Sequence, residues 1–313
     1  MSITVVGSVA LDSIKSEAGA VERAIGGAAI HFANAASLCT AVHVVGVVGG
    51  DYPFEELEFL KKRGVDLGGI EVVPGGKTFF WKGRYEGGMN QAVTEVTELN
   101  VFEGFSPKLE GGRDKPDFLF LANIHPGLQK HVVELADDSA FSALDSMNYW
   151  IDNSREELEA VARMVDAVIF NDQEVRSFTG QSNLFSGARK ILDMGPSCII
   201  IKRGEHGVLA LSRGWTVALP AFPLDRIVDP TGAGDSFAGA LVGYLDRFCG
   251  KDRDRIMDVG CWKKALAYAN CVASYNVQAF SISGIACIGL EDVVARYEEY
   301  RQICQIEGGL DVT

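Results

Sequence analysis

The sequence predicts an α/β fold, with a mostly parallel central sheet, helices on both of its faces and a small β-sheet set apart. Three observations carry this. Short β-branched runs alternate with runs of helical period along most of the chain, the pattern of a parallel sheet covered on both sides. One stretch, Ile70–Val96, alternates at period two with no helix after it, as a half-exposed sheet does. Near its last third, a glycine turn opens a long apolar helix.

In chain order, Ile3–Gly7 reads as the first strand, and Leu11–Ala24 as a hairpin-like excursion of mixed polar and apolar residues. Ala28–Leu38 fits a helix, Val42–Val48 a strand and Pro53–Arg63 a helix. Beyond the alternating stretch come strand Asp117–Ala122, helix Leu128–Ala136, strand Ser139–Asp145 and helix Arg155–Met164. Strand Ala167–Asn171 runs into helix Asp172–Thr179, followed by helix Leu184–Met194 and strand Cys198–Lys202. The last three helices are Ser236–Phe248, Lys263–Tyr275 and Glu291–Ile306. No internal repeat or low-complexity linker interrupts the series.

The chain has 313 residues, enough for one large α/β domain or two small ones. At 47% hydrophobic and 23% charged residues it has the composition of a soluble globular protein. No run approaches the ~20 apolar residues that span a bilayer, so no membrane partner is expected. The amino terminus enters a strand with no basic region before it, so no signal peptide is expected. A net charge of −13 argues against nucleic acid or a polyanionic partner. Seven cysteines without a C-x-x-C pair read as reduced core residues of a cytoplasmic protein. Five scattered histidines lack zinc-type spacing.

The chemistry concentrates in Asp229-Pro230-Thr231-Gly232-Ala233-Gly234-Asp235, immediately before a run with helical apolar spacing. A glycine turn opening a helix aims free amides and the positive end of the helix dipole at one place, which suits an anion. Asp235 at that place is itself an anion, so its role there is to accept the proton of a hydroxyl as that hydroxyl attacks phosphorus. The plainer alternative is a glycine helix start capped by an aspartate. The longer string Asp229–Ala240 closely resembles the C-terminal signature of the ribokinase-like (PfkB-type) carbohydrate and nucleoside kinases, and the resemblance extends along nearly the whole chain. It implies a single ribokinase-like domain over residues 1–313, a three-layer α/β fold whose excursions at about 11–25 and 70–96 form a β-lid over the substrate. In that family the residue matching Asp235 is the catalytic base, and the amides matching Gly232, Ala233 and Gly234 form an anion hole for the transferred phosphoryl group.

Further segments fit the same family. Asp12, just past the end of the first strand, resembles the aspartate that binds two substrate hydroxyls; otherwise it is an exposed loop carboxylate. Gly26-Gly27, opening the helix that carries His31, resembles the substrate-side signature. His31 stands where the family usually has a substrate-contacting Asn, and a core histidine is the alternative; Asn34 is a second polar candidate on that helix. Gly49-Gly50-Asp51 reads as a structural turn near the lid hinge. Asn171 and Glu174 match the N-x-x-E motif that places hydrated Mg²⁺, although an N-cap with an acidic residue three positions on explains the same letters. Lys202, Gly204 and Gly207 match a turn along the nucleotide phosphates, and Thr231 and Asn270 fall on the ATP side. Asp145, Asn148 and Asn123 end central strands, with one residue more between Asp145 and Asn148 than the family shows. Asp229 and Thr231 match positions that supply oxygens to K⁺ in many relatives. Gly75-Gly76-Lys77-Thr78 imitates a P-loop, but Glu71 replaces its first glycine and a strand follows.

The resemblance thus implies an ATP-dependent kinase, with Mg²⁺ and a K⁺ site as cofactors, acting on a hydroxyl of a small sugar or polyol. A nucleoside is the alternative acceptor, a phosphosugar a third, and a binding protein that has lost catalysis a different class. On the strand Thr78–Tyr85, Thr78, Phe80, Lys82 and Arg84 share one face, and Phe79, Trp81 and Tyr85 the other. The aromatic face is expected to pack between the lids of a homodimer or onto the domain. That leaves Lys82 and Arg84 at the cleft rim and a neutral sugar held by Asp12 and the Gly26–Gly27 turn.

Overall fold

The computed structural model describes residues 3–87, 89, 92–109, 115–136 and 139–305. Its strands are β1 (Ile3–Val6), β2 (Ala10–Ser16), β3 (Gly19–Gly26), β4 (Val42–Gly49), β5 (Val65–Val73), β6 (Phe79–Tyr85) and β7 (Ala92–Glu98). They continue with β8 (Phe118–Leu121), β9 (Phe141–Asp145), β10 (Ala167–Asn171), β11 (Cys198–Lys202), β12 (Val208–Ser212) and β13 (Thr216–Leu219). Among the described residues these make a nine-stranded sheet in the order β13-β12-β11-β10-β9-β8-β1-β4-β5 and a four-stranded sheet in the order β3-β2-β6-β7. The seven strands from β11 to β5 run parallel, while β12 and β13 add antiparallel pairs at one edge.

Both faces of the large sheet are covered, because its central strands are apolar at most positions and lack the alternation of a half-exposed sheet. Ile3, Val5, Phe118, Phe120, Ala167 and Ile169 point into one core, beneath helices Ala28–Ala36, Ala233–Cys249 and Val259–Asn276. Val6, Leu119, Leu121, Val168 and Phe170 point into the other, beneath Pro126–Leu135, Arg155–Ala162, Asp172–Thr179 and Leu184–Met194. The result is the three-layer ribokinase-like architecture, and the small antiparallel-edged sheet is its lid.

Three expectations are corrected. The large sheet extends further than the sequence suggests, since β5 pairs with β4 as far as Gly49↔Val73. Residues 70–73 therefore belong to the main sheet, and the lid's second half comprises β6 and β7. An edge strand carrying Asp66, Gly68, Gly69 and Glu71 is half polar, which hid it in a purely apolar search. Second, Cys249 and Cys261 are not isolated from one another as the sequence suggests but stand side by side, with Cα atoms 7.6 Å apart. The end of helix Ala233–Cys249 and the start of helix Val259–Asn276 fold back around the short helix Arg253–Met257 and bring the two sulfurs together. Third, Pro53–Arg63 divides into a 3-10 turn, Phe54–Leu57, and a short helix, Glu58–Lys62. Of the anticipated lid and final helix, residues 88, 90, 91 and Ile306 lie outside the described residues.

The lid is anchored at its hinge. Thr78 donates from its backbone N–H and its hydroxyl to Asp51 Oδ1, at 2.8 and 2.7 Å, and accepts from the Gly49 N–H at 3.0 Å. Arg23 from β3 closes on the other oxygen of Asp51 at 2.7 Å. The Gly49–Asp51 turn thus has the structural hinge role its sequence suggested, and Gly75–Gly76 is part of the turn leading to β6, with no helix after it.

Candidate active site

The carboxyl ends of β1, β9, β10 and β11 converge with the start of helix Ala233–Cys249. Gly232 begins that helix with φ of +70°, a conformation that favours glycine. A Cβ there would also overlap the imidazole of His31. Of the three amides expected to face an anion, Ala233 donates to the Pro230 carbonyl at 3.1 Å. The Gly234 N–H has no acceptor among the described residues. It is matched by a cation, because Lys202 Nζ lies 3.0 Å from where a Gly234 Cβ would stand.

Lys202 is the centre of a charge cluster. It leaves the end of β11 beside Asn171 of β10, crosses β10 and closes on Asp145 at the end of β9. Burial works against its charge, but Asp145, Glu174 and Asp235 together lift the ammonium above its usual range. Burial raises the Asp235 carboxyl, with Lys202 opposing. Glu174 is pushed up to about 8, first by burial and then by the Asp145 charge. Asp145 is therefore a full member of the site, which sequence alone left open.

Asn171 and Glu174 form a capping box. Asn171 Oδ1 accepts the Glu174 N–H at 2.8 Å, and Glu174 Oε2 accepts the Asn171 N–H at 2.6 Å. The Asn171 side-chain oxygen is thus committed to the helix start, while Glu174 Oε1 takes no part in the capping box.

Across the cleft, the lid supplies Asp12. The residue is 5% exposed, and its carboxyl is pushed up to about 7 by burial and then by the charges of Asp229 and Asp235. The Gly27 N–H works the other way. Gly26 lies so close that any Cβ would overlap the Asp12 carboxylate. Register pairs Asp12 with Trp81 in neighbouring parallel strands, so both project from the same face of the lid. Tyr85, on that face, brings its hydroxyl to 3.0 Å from Thr231 Oγ1. Phe79 stacks on Phe102 of the main domain, with ring centroids 5.2 Å apart.

The expectation for the basic face is overturned. Lys82 and Arg84 project from the side opposite Asp12, and both are held by the lid's own carboxylates. Arg84 meets Glu95 at 2.8 Å and Glu86 at 2.6 Å, and Lys82 meets Glu95 at 3.6 Å. Period-two alternation separates them from the cleft as surely as it joins Trp81 to it.

Other candidates are placed elsewhere. His31 is 2% exposed and packs beneath Gly232, so it faces the turn rather than a substrate. Burial holds its imidazole below the usual range, and neither ring nitrogen meets a partner in hydrogen-bonding geometry among the described residues. Asn34 packs within the core, donating to the Ile282 carbonyl at 2.9 Å. Asn270 is occupied by the Pro220 carbonyl and the Tyr300 hydroxyl, each at 3.0 Å. Asn123 accepts from Trp150 Nε1 at 3.0 Å, and Asn148 is exposed at the start of helix Asn148–Asn153. Gly204 and Gly207, with φ of +54° and +79°, shape the β11–β12 turn. Asp229 is fully buried, with Oδ1 accepting the Thr231 N–H at 2.9 Å and Oδ2 the Ser281 N–H at 3.0 Å.

Comparison with known proteins gives the family and the fold. The pfkB family carbohydrate kinase profile matches residues 1–284. The chain is similar to a cytidine kinase from Thermococcus kodakarensis, 29% identical over 250 residues that span 78% of this chain and 88% of the relative. Its fold resembles that of a Burkholderia thailandensis nucleoside kinase in complex with inosine, with a TM-score of 0.75 and 20% identity over 95% of this chain and 98% of that one. A putative ribokinase II from E. coli in complex with ATP and Mg²⁺ gives a TM-score of 0.76 and 20% identity over 95% and 99%. No helix among the described residues is long and apolar enough to cross a membrane.

Proposed function

The chain belongs to the pfkB family of carbohydrate kinases and is an ATP-dependent kinase, and we propose that its acceptor is a nucleoside, phosphorylated on a hydroxyl of the sugar. The observation that carries this is the pairing of Asp12 with Trp81 on the cleft face of the lid. Asp12 offers a carboxylate to sugar hydroxyls, and the indole on the next strand, lying over Gly83 with Nε1 donating to Thr94 at 3.2 Å, offers a base a surface to stack on. The cytidine kinase relative and the inosine-bound nucleoside kinase fold support the same class.

In this reading Asp235 takes the proton of the attacking hydroxyl as the new O–P bond forms and the bond between the γ-phosphorus and the β,γ-bridging oxygen breaks, releasing ADP. The Gly234 amide and the Lys202 ammonium face the charge that develops on the transferred group. Mg²⁺, when bound, offsets the charge of the nucleotide phosphates. Glu174 fits the role of holding it through water because Oε1 is free, whereas Asn171 does not, because its oxygen is used by the cap. Gly204 and Gly207 would lie along the phosphates through the Lys202 turn, and Asn270 contributes to that side only through packing.

A free sugar is the second reading, and the Tyr85–Thr231 contact favours it, since it holds the lid low over Asp235. The outer face of the lid exposes Val96 and Val93 on β7, paired with Lys82 and Arg84, which supports a homodimer through the lid. The deciding experiment measures ATP consumption across nucleosides, free sugars, phosphosugars and inositols, which should run fastest with a nucleoside. With the best acceptor, Trp81→Ala should raise KM about tenfold, the scale of one lost base–aromatic stack, and Arg84→Ala should leave it unchanged. A silent Trp81→Ala with a free sugar as best acceptor would replace the nucleoside by the sugar.

A further inference from the structure

Asp229 and Thr231 stand where K⁺ is held in many members of the family, and the groups around them do not fit a cation. A monovalent cation needs a ring of oxygens whose lone pairs face it, and an N–H hydrogen aimed at the same oxygen competes with it for that place. Here both carboxylate oxygens of Asp229 already accept backbone N–H groups, from Thr231 and Ser281. The Thr231 carbonyl accepts Nδ2 of Asn276 at 2.8 Å. Asn276 is 1% exposed, and its Oδ1 accepts the Ser236 hydroxyl at 3.0 Å. Ser236 is fully buried in the first turn of the helix that carries Asp235. The N–H donors of Thr231, Ser281 and Asn276 thus point at the oxygens that would otherwise coordinate an ion.

We propose that Asn276 is a positioning residue that does by hydrogen bonding what a bound cation does elsewhere in the family: it ties the Thr231 carbonyl to Ser236 and so fixes the turn Gly232–Gly234, and this kinase does not require K⁺. The amide is suited to it because it donates to a carbonyl and accepts from a hydroxyl at once, bridging the two ends of the turn. His31 adds to the support, its ring lying against Gly232. Ser281, which donates to Asp229, also donates its hydroxyl to the Ile25 carbonyl, so the network reaches the Gly26–Gly27 turn. The inference rests on the anion-hole reading of the Gly232–Gly234 turn and is independent of which acceptor is used.

The test uses the full-length protein in potassium, sodium and choline chloride at equal ionic strength, with two readouts, turnover and thermal unfolding. Wild type should show the same turnover and the same melting temperature in all three salts. Asn276→Ala, which takes the donor from the half-buried Thr231 carbonyl, should lower kcat about tenfold, the scale of one lost hydrogen bond near a buried group, with ATP affinity retained. Asn276→Asp places a carboxylate beside the Thr231 carbonyl and Asp229, so it should be less stable in choline and be stabilised selectively by potassium or sodium. Several-fold activation of wild type by K⁺, together with a K⁺-dependent rise in its melting temperature, would overturn the proposal, as would an unchanged Asn276→Ala enzyme or an Asn276→Asp protein indifferent to the cation. Absence of phosphoryl transfer to every acceptor would fail the functional reading instead, while the melting data on wild type and Asn276→Asp would still decide the bridge.

Discussion

The hydroxyl of Tyr85 lies 3.0 Å from the hydroxyl of Thr231, so a single hydrogen bond joins the lid to the turn that opens the Asp235 helix. The two residues are 146 positions apart in the chain. A second tie, from Ser16 of β2 to the Val228 carbonyl at 2.6 Å, connects the lid to the strand of chain leading into the same turn. The position of the lid and the geometry of the turn are therefore tied together.

Tyr85→Phe removes the bond and keeps the ring. It should reduce kcat/KM for the acceptor about fivefold, the net value of one hydrogen bond of this kind, and leave ATP binding unchanged. Steady-state kinetics check this, and unchanged constants would show that the contact does not contribute to turnover.

Asp235→Asn should fold normally and bind ATP while turnover falls by roughly 10²–10⁴, the range for loss of a general base. In wild type, the rate must rise with pH as the base deprotonates. Because burial raises the Asp235 carboxyl, that rise should lie above the ordinary carboxylate range. Near-normal turnover in the folded variant would remove Asp235 from its role.

Lys202 and Asp145 should behave as a pair. Lys202→Met alone strands a buried carboxylate, which costs about 3–5 kcal/mol, and it also removes the cation beside Gly234. The double variant Lys202→Met/Asp145→Asn should recover most of the stability and none of the turnover. Denaturant melts read the first effect and initial rates the second; a double variant no more stable than the single one would show that the two charges are not coupled.

The unliganded protein should lose stability as the solution becomes more alkaline. Asp12, at about 7, and Glu174, at about 8, bind their protons more tightly when folded than when unfolded. Their contribution is complete below the ordinary carboxylate pKa and is lost as pH rises through those values. The melting temperature should fall between about pH 5.5 and pH 8.5, and Asp12→Asn should flatten that fall. A melting temperature that rises over this interval would contradict the burial of these groups.

Sequence legibility followed the range of the interactions. Ala167–Asn171, Asp172–Thr179 and Leu184–Met194 were readable to the residue, because their apolar periods and caps are local. The glycine turn was readable for the same reason. The Lys202–Asp145 pair was not, since it depends on the register of β9, β10 and β11, which brings two strand ends together across a third. The cleft-facing side of the lid was half legible: alternation grouped Trp81 with Tyr85, and only the parallel β2–β6 register showed that Asp12 shares their face. Asn276 had no signal, as a single amide at the end of a helix has many uses and its partners lie 40 and 45 residues away.

The parallel pairing of β2 with β6 also constrains how the molecule assembles. Antiparallel neighbours joined by a short turn can zip together early, but strands running side by side in the same direction need a long connection between them. Here that connection contains β3, helix Ala28–Ala36, β4 and β5, and the last two belong to the other sheet. The middle seam of the lid therefore joins segments as distant as Ala10 and Phe79, which places its contacts among the slow, sequence-distant ones. The lid is not a module that could be excised or transplanted by itself; a graft would have to carry the chain from Ala10 to Glu98 and the sheet edge it builds on the way.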